Sequence, residues 1–506
     1  MPGQCRTSLG GTRSWLLILI LLLGFCVRLV RLHDKEMWYD EAFAVLYAEK
    51  EIDAIIRGTV TSVEGAAADI HPLLYYFFLH SWMRIGQSPV IVRFPSVVFG
   101  LLSICLVFHI ARELFDGQVG LLAAALAAIS PFHIWYSQEA RMYSLLCLAS
   151  LLSIYLFIRA YRNGRWLYWI GFGLSTGLSL YAHNLAFLIL FAVDLFVLLR
   201  RRWNLLGRLA VAHLVSLLVF LPWLLLVPGQ LAKVRQAYWI PKPGPAELVR
   251  TLIVFTFNLP VPDWILPLAL FFSLLLLALT VYRVVRLTVV TEERSTWATQ
   301  LSLSLAFVPV LTMFAISQVK PVYIERAMLA SALLYYVAVA RAMLRGRLPR
   351  LVIASLTPIP LVLAASLWYQ YNYADFPRSP FRLANAHLRD HYKEGDAIVH
   401  DNKLSFLPSH YYDRSLAQEY VGDVPGSPTD TLALPTQEVL GLLAKLDMST
   451  AVGGAKRVWF VVFQRALDEA EALGTVNPNV AWLDAHYRVI DSITYRDLNI
   501  FLYEQS

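Results

Sequence analysis

Trp15-Leu-Leu-Ile-Leu-Ile-Leu-Leu-Leu-Gly-Phe-Cys-Val-Arg28-Leu-Val-Arg31 leads within seven residues to Trp38-Tyr39-Asp40-Glu41-Ala42. A helix needs about 20 predominantly apolar residues to cross the hydrocarbon of a bilayer, and this run supplies them. It ends in two arginines and an acidic pair, groups that are expensive at membrane depth and belong at the headgroup level. No A-x-A cleavage site follows, and Phe25 directly before Cys26 spoils a lipoprotein box, so the run reads as an uncleaved anchor.

The same pattern recurs along the chain. Apolar runs stand near 15–33, 90–111, 119–138, 142–160, 165–182, 184–200, 208–228, 263–286, 298–318, 326–344 and 351–369, about eleven spans by length. The composition agrees: 506 residues, 58% hydrophobic and only 16% charged, with a mean hydropathy of +0.55. That excludes an ordinary soluble globular protein, which is nearer a quarter charged. A shorter run at 71–85, containing His71 and His80, reads as an interfacial or re-entrant helix. Cytoplasmic loops collect Lys and Arg. With Arg6 and Arg13 inside and 71–85 not spanning, the clusters at Arg159/Arg162/Arg165, Arg200–Arg202 and Arg341/Arg345/Arg347/Arg350 all fall inside. Counting 71–85 as a span would move most of them outside.

This topology predicts a multi-pass protein of the cytoplasmic membrane, with its N-terminus inside and residues 34–89, 229–262 and the segment from 370 outside. Residues 370–506 carry 12 Lys/Arg and 18 Asp/Glu, a balance of −6, which leaves +13 for 1–369. The basic residues lie between apolar runs rather than in one patch, so nucleic-acid binding is a poor reading of the +7 overall charge. No cysteine follows Cys147, so no disulfide staples the polar part. Helix-like stretches (381–393, 436–447, 465–473) alternate with β-like runs (Asp396–His400, Arg457–Phe463, Tyr487–Tyr503), which predicts a small α/β domain. The expected fold class is therefore an α-helical polytopic membrane domain, residues 1–369, followed by an extracytoplasmic α/β domain, residues 370–506.

Four polar strings fall on the predicted outer face. In the first, Tyr39 precedes the Asp40–Glu41 pair. Adjacent carboxylates cannot point the same way from one helix, so one can face a cleft while the other is braced. A carboxylate there suits deprotonation of an acceptor hydroxyl or a metal; the competing reading is a solvated helix start, where acids are favoured. The second is Asp69-Ile-His71-Pro72-Leu-Leu-Tyr75-Tyr76. Pro72 fits a first helical turn, and Asp69 and His71 are candidate ligands for a divalent metal ion or contacts to substrate, against ordinary hydrogen bonding. The third, Tyr136-Ser-Gln-Glu139-Ala-Arg141-Met-Tyr143, sets Glu139 and Arg141 two apart, where helix residues do not face each other. They suit different partners, a sugar or carboxylate and a phosphate, against an interhelical salt bridge. The fourth, Lys320-Pro-Val-Tyr323-Ile-Glu-Arg326, brings cations to the height of a lipid phosphate, which a guanidinium fork fits; headgroup anchoring is the alternative. Tyr181, His183 and Asn184 add a further polar turn.

Taken in order, Arg28-Leu-x-Arg-Leu, Trp38-Tyr-Asp-Glu-Ala, His71-Pro-Leu-Leu-Tyr-Tyr, Arg93-Phe-Pro-Ser and Ser130-Pro-Phe-His-Ile-Trp-Tyr-Ser-Gln-Glu-Ala-Arg-Met-Tyr resemble the GT-C glycosyltransferases. Within these the strings are similar to the branch holding protein O-mannosyltransferases and the lipid A aminoarabinose transferase. The resemblance covers roughly residues 10–370. It implies a polyprenyl-phosphate-linked sugar donor, an acceptor hydroxyl on a glycan, lipid or protein outside the membrane, and inversion at the anomeric carbon. It further implies Asp40 as general base with Glu41 completing the dyad, Glu139 as a second-loop acid, and Arg326, Lys320 and Tyr323 with Arg141 at the donor phosphate. Tyr39, His71, Tyr75 and Tyr76 are then substrate contacts. His71 stands where relatives vary, which leaves a metal cofactor open. The rival classes are a transporter or flippase of lipid-linked saccharides, which would use intramembrane charges as a path, and a glycan-binding assembly protein anchored by its helices. A chain-transferring ligase of the same superfamily is a neighbouring enzymatic reading.

Overall fold

The computed structural model describes residues 10–61, 71–227, 240–290, 293–346, 348–424, 427 and 429–505. The chain forms two compact units, Met1–Leu32 with Arg93–Leu225 and Ile240–Tyr371, and His33–Val92 with Leu226–Trp239 and Asn372–Ser506. The predicted first outer loop thus folds as part of the second unit, together with the C-terminal segment.

The first unit is helical. Each of the eleven apolar runs coincides with a helix or a helix pair. Among the described residues, seven helices are long and apolar enough to cross a membrane, or eight if the bent pair Gly117–Ile129 and Pro131–Ser137 is one span. The count of about eleven is thus not reproduced by length. Trp166–Ala182 has 17 residues and Phe187–Leu199 has 13, so at 1.5 Å per residue both fall short of about 30 Å of hydrocarbon. The bent pair turns by 60° because Ser130 ends one helix and caps the next, its hydroxyl accepting from the His133 N–H, with Pro131 at the first position where its missing N–H is harmless. The run at 71–85 is the nine-residue helix Leu74–Trp82 followed by a 3₁₀ turn at Met83–Ile85, too short to span.

Small residues let these helices approach closely, as in other membrane interfaces. Cβ atoms at Gly173 and Gly177 would come within 2.5 Å of the Ala212 carbonyl and 2.7 Å of Val219 in the helix Leu206–Leu224. Ala123, Ala124, Ala127 and Ala128 line a fully buried stripe in the same core as Leu333, Leu334 and Val337.

The second unit carries a five-stranded sheet of order β2-β1-β3-β5-β4, with β1 Ala397–His400, β2 Gln418–Tyr420, β3 Arg457–Phe463, β4 Tyr487–Tyr495 and β5 Leu498–Gln505. The β1–β2 and β1–β3 pairs are parallel, and β3–β5 and β4–β5 antiparallel. The run Val458-Trp-Phe-Val-Val-Phe463 is apolar without alternation because both faces are covered: Trp459, Val461 and Phe463 pack on one side with Phe381 and Leu388, Val458, Phe460 and Val462 on the other with Leu483 and Tyr503. The stretch read as one β-run, Tyr487–Tyr503, is a hairpin that turns at Arg496, whose φ is +62°. Of the helix expected over 436–447 only the first part forms, as Leu434–Leu440; residues 441–447 are not helical, and the next helix, Met448–Val452, begins beyond that range. The helices Lys403–Tyr412 and Pro478–His486 and strand β2 had no counterpart in the sequence reading.

Candidate active site

In the first unit, polar groups gather where several helices end. Arg28, fully buried at the end of the first helix, donates to the carbonyls of Gly24 and Ala128 and to His133 Nδ1 at 2.9, 3.0 and 2.9 Å. His133 Nδ1 also lies 3.2 Å from the Ala127 carbonyl. The turn after Pro131–Ser137 docks on that helix end: Gln138 Nε2 donates to the carbonyls of Arg28 and Val30 at 3.0 and 2.8 Å. Ser96 Oγ holds the next carbonyl, that of Glu139, at 2.5 Å. These bonds place Glu139 and Arg141 at a defined position, 1% and 4% exposed.

Arg326 reaches the same region. Its guanidinium lies 5.1 Å from the centre of the Tyr143 ring, and Tyr143 packs edge-on to Tyr136 at 5.5 Å and beside His183 at 6.0 Å. Tyr136 in turn lies within electrostatic range of Glu139, Arg326 and Glu325. Glu325 pairs with Arg250 at 3.2 Å. Tyr323 is buried and shares a 2.6 Å hydrogen bond with Thr251, and Asn184 accepts from Trp223 Nε1 at 3.1 Å. So Glu139 and Arg326, 187 positions apart in the sequence, share one neighbourhood with Tyr136. Lys320 is half-buried at the end of the preceding helix. Gln138, His133, Tyr143 and Arg250 took no role in the sequence reading; the signal for the first three was an unusual density of polar residues inside apolar runs.

The second unit holds the acidic pair. Tyr39–Ala48 is a helix with both acids in its first turn, where the helix dipole favours them. Glu41 shares a face with Ala44, Val45 and Ala48, all fully buried, and is itself 0% exposed; Asp40, one position away, is partly exposed. Arg378 meets Glu41 Oε2 at 2.8 Å with neither side chain accessible to solvent. It also donates to the Glu36 carbonyl at 2.8 Å and lies 5.8 Å from the Trp38 ring. Removing one partner of such a pair costs about 3–5 kcal/mol, because the other charge is left buried and uncompensated. Burial pushes the Glu36 carboxyl above its ordinary range, opposed by the adjacent Arg382.

Tyr39 stacks on Phe43, Phe43 on Tyr47, and Tyr47 meets Tyr76 edge-on at 5.2 Å. Tyr75 and Tyr76 are 3% and 2% exposed; Tyr76 packs the helix Leu74–Trp82 against Phe43 and Tyr47 of the acidic helix, with Tyr75 edge-on to Tyr76. His71 is half-buried just before that helix. Asp69 lies outside the described residues. Among the described residues no three His, Cys, Asp or Glu side chains converge as metal ligands.

The apolar helices of the first unit define the class: a polytopic membrane protein. The dolichyl-phosphate-mannose-protein mannosyltransferase family matches residues 70–226. An undecaprenyl phosphate-alpha-4-amino-4-deoxy-L-arabinose arabinosyl transferase of Pseudomonas aeruginosa is 30% identical over 238 residues, 45% of this chain and 42% of that protein. The match thus spans less than half the length of that relative. Among solved structures, ArnT from Cupriavidus metallidurans bound to undecaprenyl phosphate is similar with a TM-score of 0.62 at 13% identity, covering 97% of this chain and 98% of that one. An oligosaccharyltransferase of Archaeoglobus fulgidus is similar with a TM-score of 0.57 at 14% identity, covering 98% and 74%. At these identities the structural likeness concerns the fold.

Proposed function

We propose that this protein is a membrane glycosyltransferase that moves a sugar from a polyprenyl-phosphate-linked donor to an acceptor hydroxyl at the extracytoplasmic face of the cytoplasmic membrane, inverting the anomeric centre. The observation that carries the reading is the division of labour in the acidic pair: Glu41 is sealed against Arg378, while its neighbour Asp40 keeps access to solvent. A carboxylate so presented is suited to general-base work. Asp40 takes the acceptor O–H proton, the acceptor oxygen forms its bond to the anomeric carbon, and the bond from that carbon to the phosphate oxygen breaks with its electron pair. Polyprenyl phosphate leaves carrying the negative charge that develops. Arg326, with Lys320, Tyr323 and Arg141, is assigned to that phosphate, since preorganised donors aimed at developing charge act without reorganising. Glu139 is assigned to the acceptor, and Tyr39 and His71 to substrate contacts. The matches to transferases that use lipid-phosphate sugars support the donor class, and the placement of arginine clusters supports the orientation.

The test is a panel of radiolabelled polyprenyl-phosphate sugars presented to the purified protein in lipid, with Asp40→Asn alongside. Release or transfer of one sugar by the parent and none by D40N is expected. Turnover by D40N near the parent level refutes Asp40 as base, and passage of the lipid across the bilayer without sugar release would move the protein to the flippase class.

A further inference from the structure

We infer that the C-terminal segment is a working part of the acidic loop, and that Arg378 is a positioning residue that sets Asp40 by holding Glu41; this rests on Asp40 as the base. Four side chains from the segment 378–414 grip residues 33–49. Arg378 takes Glu41 and the Glu36 carbonyl. Arg382 pairs with Glu36 at 3.2 Å and donates to the His33 carbonyl at 2.8 Å. The Tyr412 hydroxyl accepts from the Met37 N–H at 2.8 Å. Arg414 reaches Glu49 at 2.8 Å, at the far end of the same helix. Three of these attachments stand before or within the first turn of Tyr39–Ala48, the turn that carries Asp40.

The Arg378 contact differs from the others in kind. Arg382 and Arg414 are 31% and 43% exposed, whereas Arg378 and Glu41 are both 0% exposed. Surface pairs of the first sort contribute little. A sealed pair of the second sort has no water to take its place, so the Arg378 Nη1 that holds Glu41 Oε2 and the Glu36 carbonyl fixes the Glu41 carboxylate and with it the rotation of the helix about its axis. Asp40 follows Tyr39 and precedes Glu41 on that helix, so a rotation that releases Glu41 swings Asp40 by the same angle. A base held out of line loses rate far more than it loses substrate affinity.

The experiment uses the full-length protein in lipid and reads kcat and both KM values for R378M, R378K, E41Q and E41Q/R378M, with D40N in each background. Expected for R378M is a 10- to 100-fold fall in kcat with donor and acceptor KM within threefold, and for R378K recovery to within fivefold of the parent. In the E41Q background R378M should cost no more than a further twofold, because Arg378 acts through Glu41. If R378M does not fold, E41Q keeps the shape and carries the test by the same kcat fall at constant KM. Parent-level kcat in folded R378M or in E41Q overturns the inference, and so does an R378M loss undiminished by E41Q. D40N that turns over normally, while Arg378 and Glu41 remain coupled, instead removes the reading of Asp40 and leaves the coupling standing.

Discussion

Replacing Arg326 by Ala should weaken capture of the lipid phosphate. Two opposite charges about 4 Å apart near a protein surface interact by roughly 4 kcal/mol at an effective dielectric of 20, and solvent competition reduces the net value of a hydrogen bond to a charged group to about 1.5–3 kcal/mol. Arg326 is half-buried, with its cation over the face of Tyr143 at 5.1 Å. That ring covers one face of the guanidinium while the residue keeps partial exposure, which points to the lower part of the range. The expected loss of affinity for polyprenyl phosphate is therefore roughly 10- to 30-fold, from RT ln K at 1.4 kcal/mol per tenfold. Arg326→Lys keeps the charge but not the planar fork, and should lose about a third of that energy. The assay is equilibrium binding of sugar-free polyprenyl phosphate to the protein in nanodiscs, paired with donor and acceptor KM values. An unchanged affinity for the lipid phosphate, with a raised acceptor KM instead, would refute the assignment.

Two further outcomes are expected. A phosphatase reporter fused after residue 370 should be active only when exported, and activity confined to a cytoplasmic-type reporter at that position would overturn the orientation. Burial lowers the His400 imidazole from 6.5 to about 4, so the unfolded segment binds a proton first as the pH falls; the associated stability, about 3 kcal/mol, is complete above pH 6.5 and lost progressively towards pH 4. Amide exchange across β1, β2 and β3, corrected for its intrinsic pH dependence, should rise over that window and should not do so in His400→Gln.

Much of the molecule was legible without coordinates because its signals are local. Hydrocarbon demands a self-satisfied helix with an apolar surface, so each run of apolar residues announced itself, while the arginine clusters between runs are the basis of the expected orientation. The acidic pair and the Lys320–Arg326 string stood out for a related reason: charges beside apolar runs are rare unless they do something. What sequence could not do was measure the helices. Whether 119–138 is one span or a bent pair turns on the Ser130 hydroxyl capping a new helix, and whether 165–182 reaches across turns on where its backbone bonds stop.

The tertiary structure alone decided which member of the acidic pair is sealed. Asp40 and Glu41 are neighbours with the same chemistry, and only the packing of the Tyr39–Ala48 helix turns Glu41 inward to a partner 337 residues away. Nothing local in Phe376-Pro-Arg378-Ser marks that arginine out. The same holds for Tyr76, whose motif gives no sign that its ring meets Phe43 and Tyr47, and for Tyr75, buried beside it. Composition and period set which segments leave water; which side chain meets which across hundreds of residues depends on how the helix faces pack, and that exists only once the chain is folded.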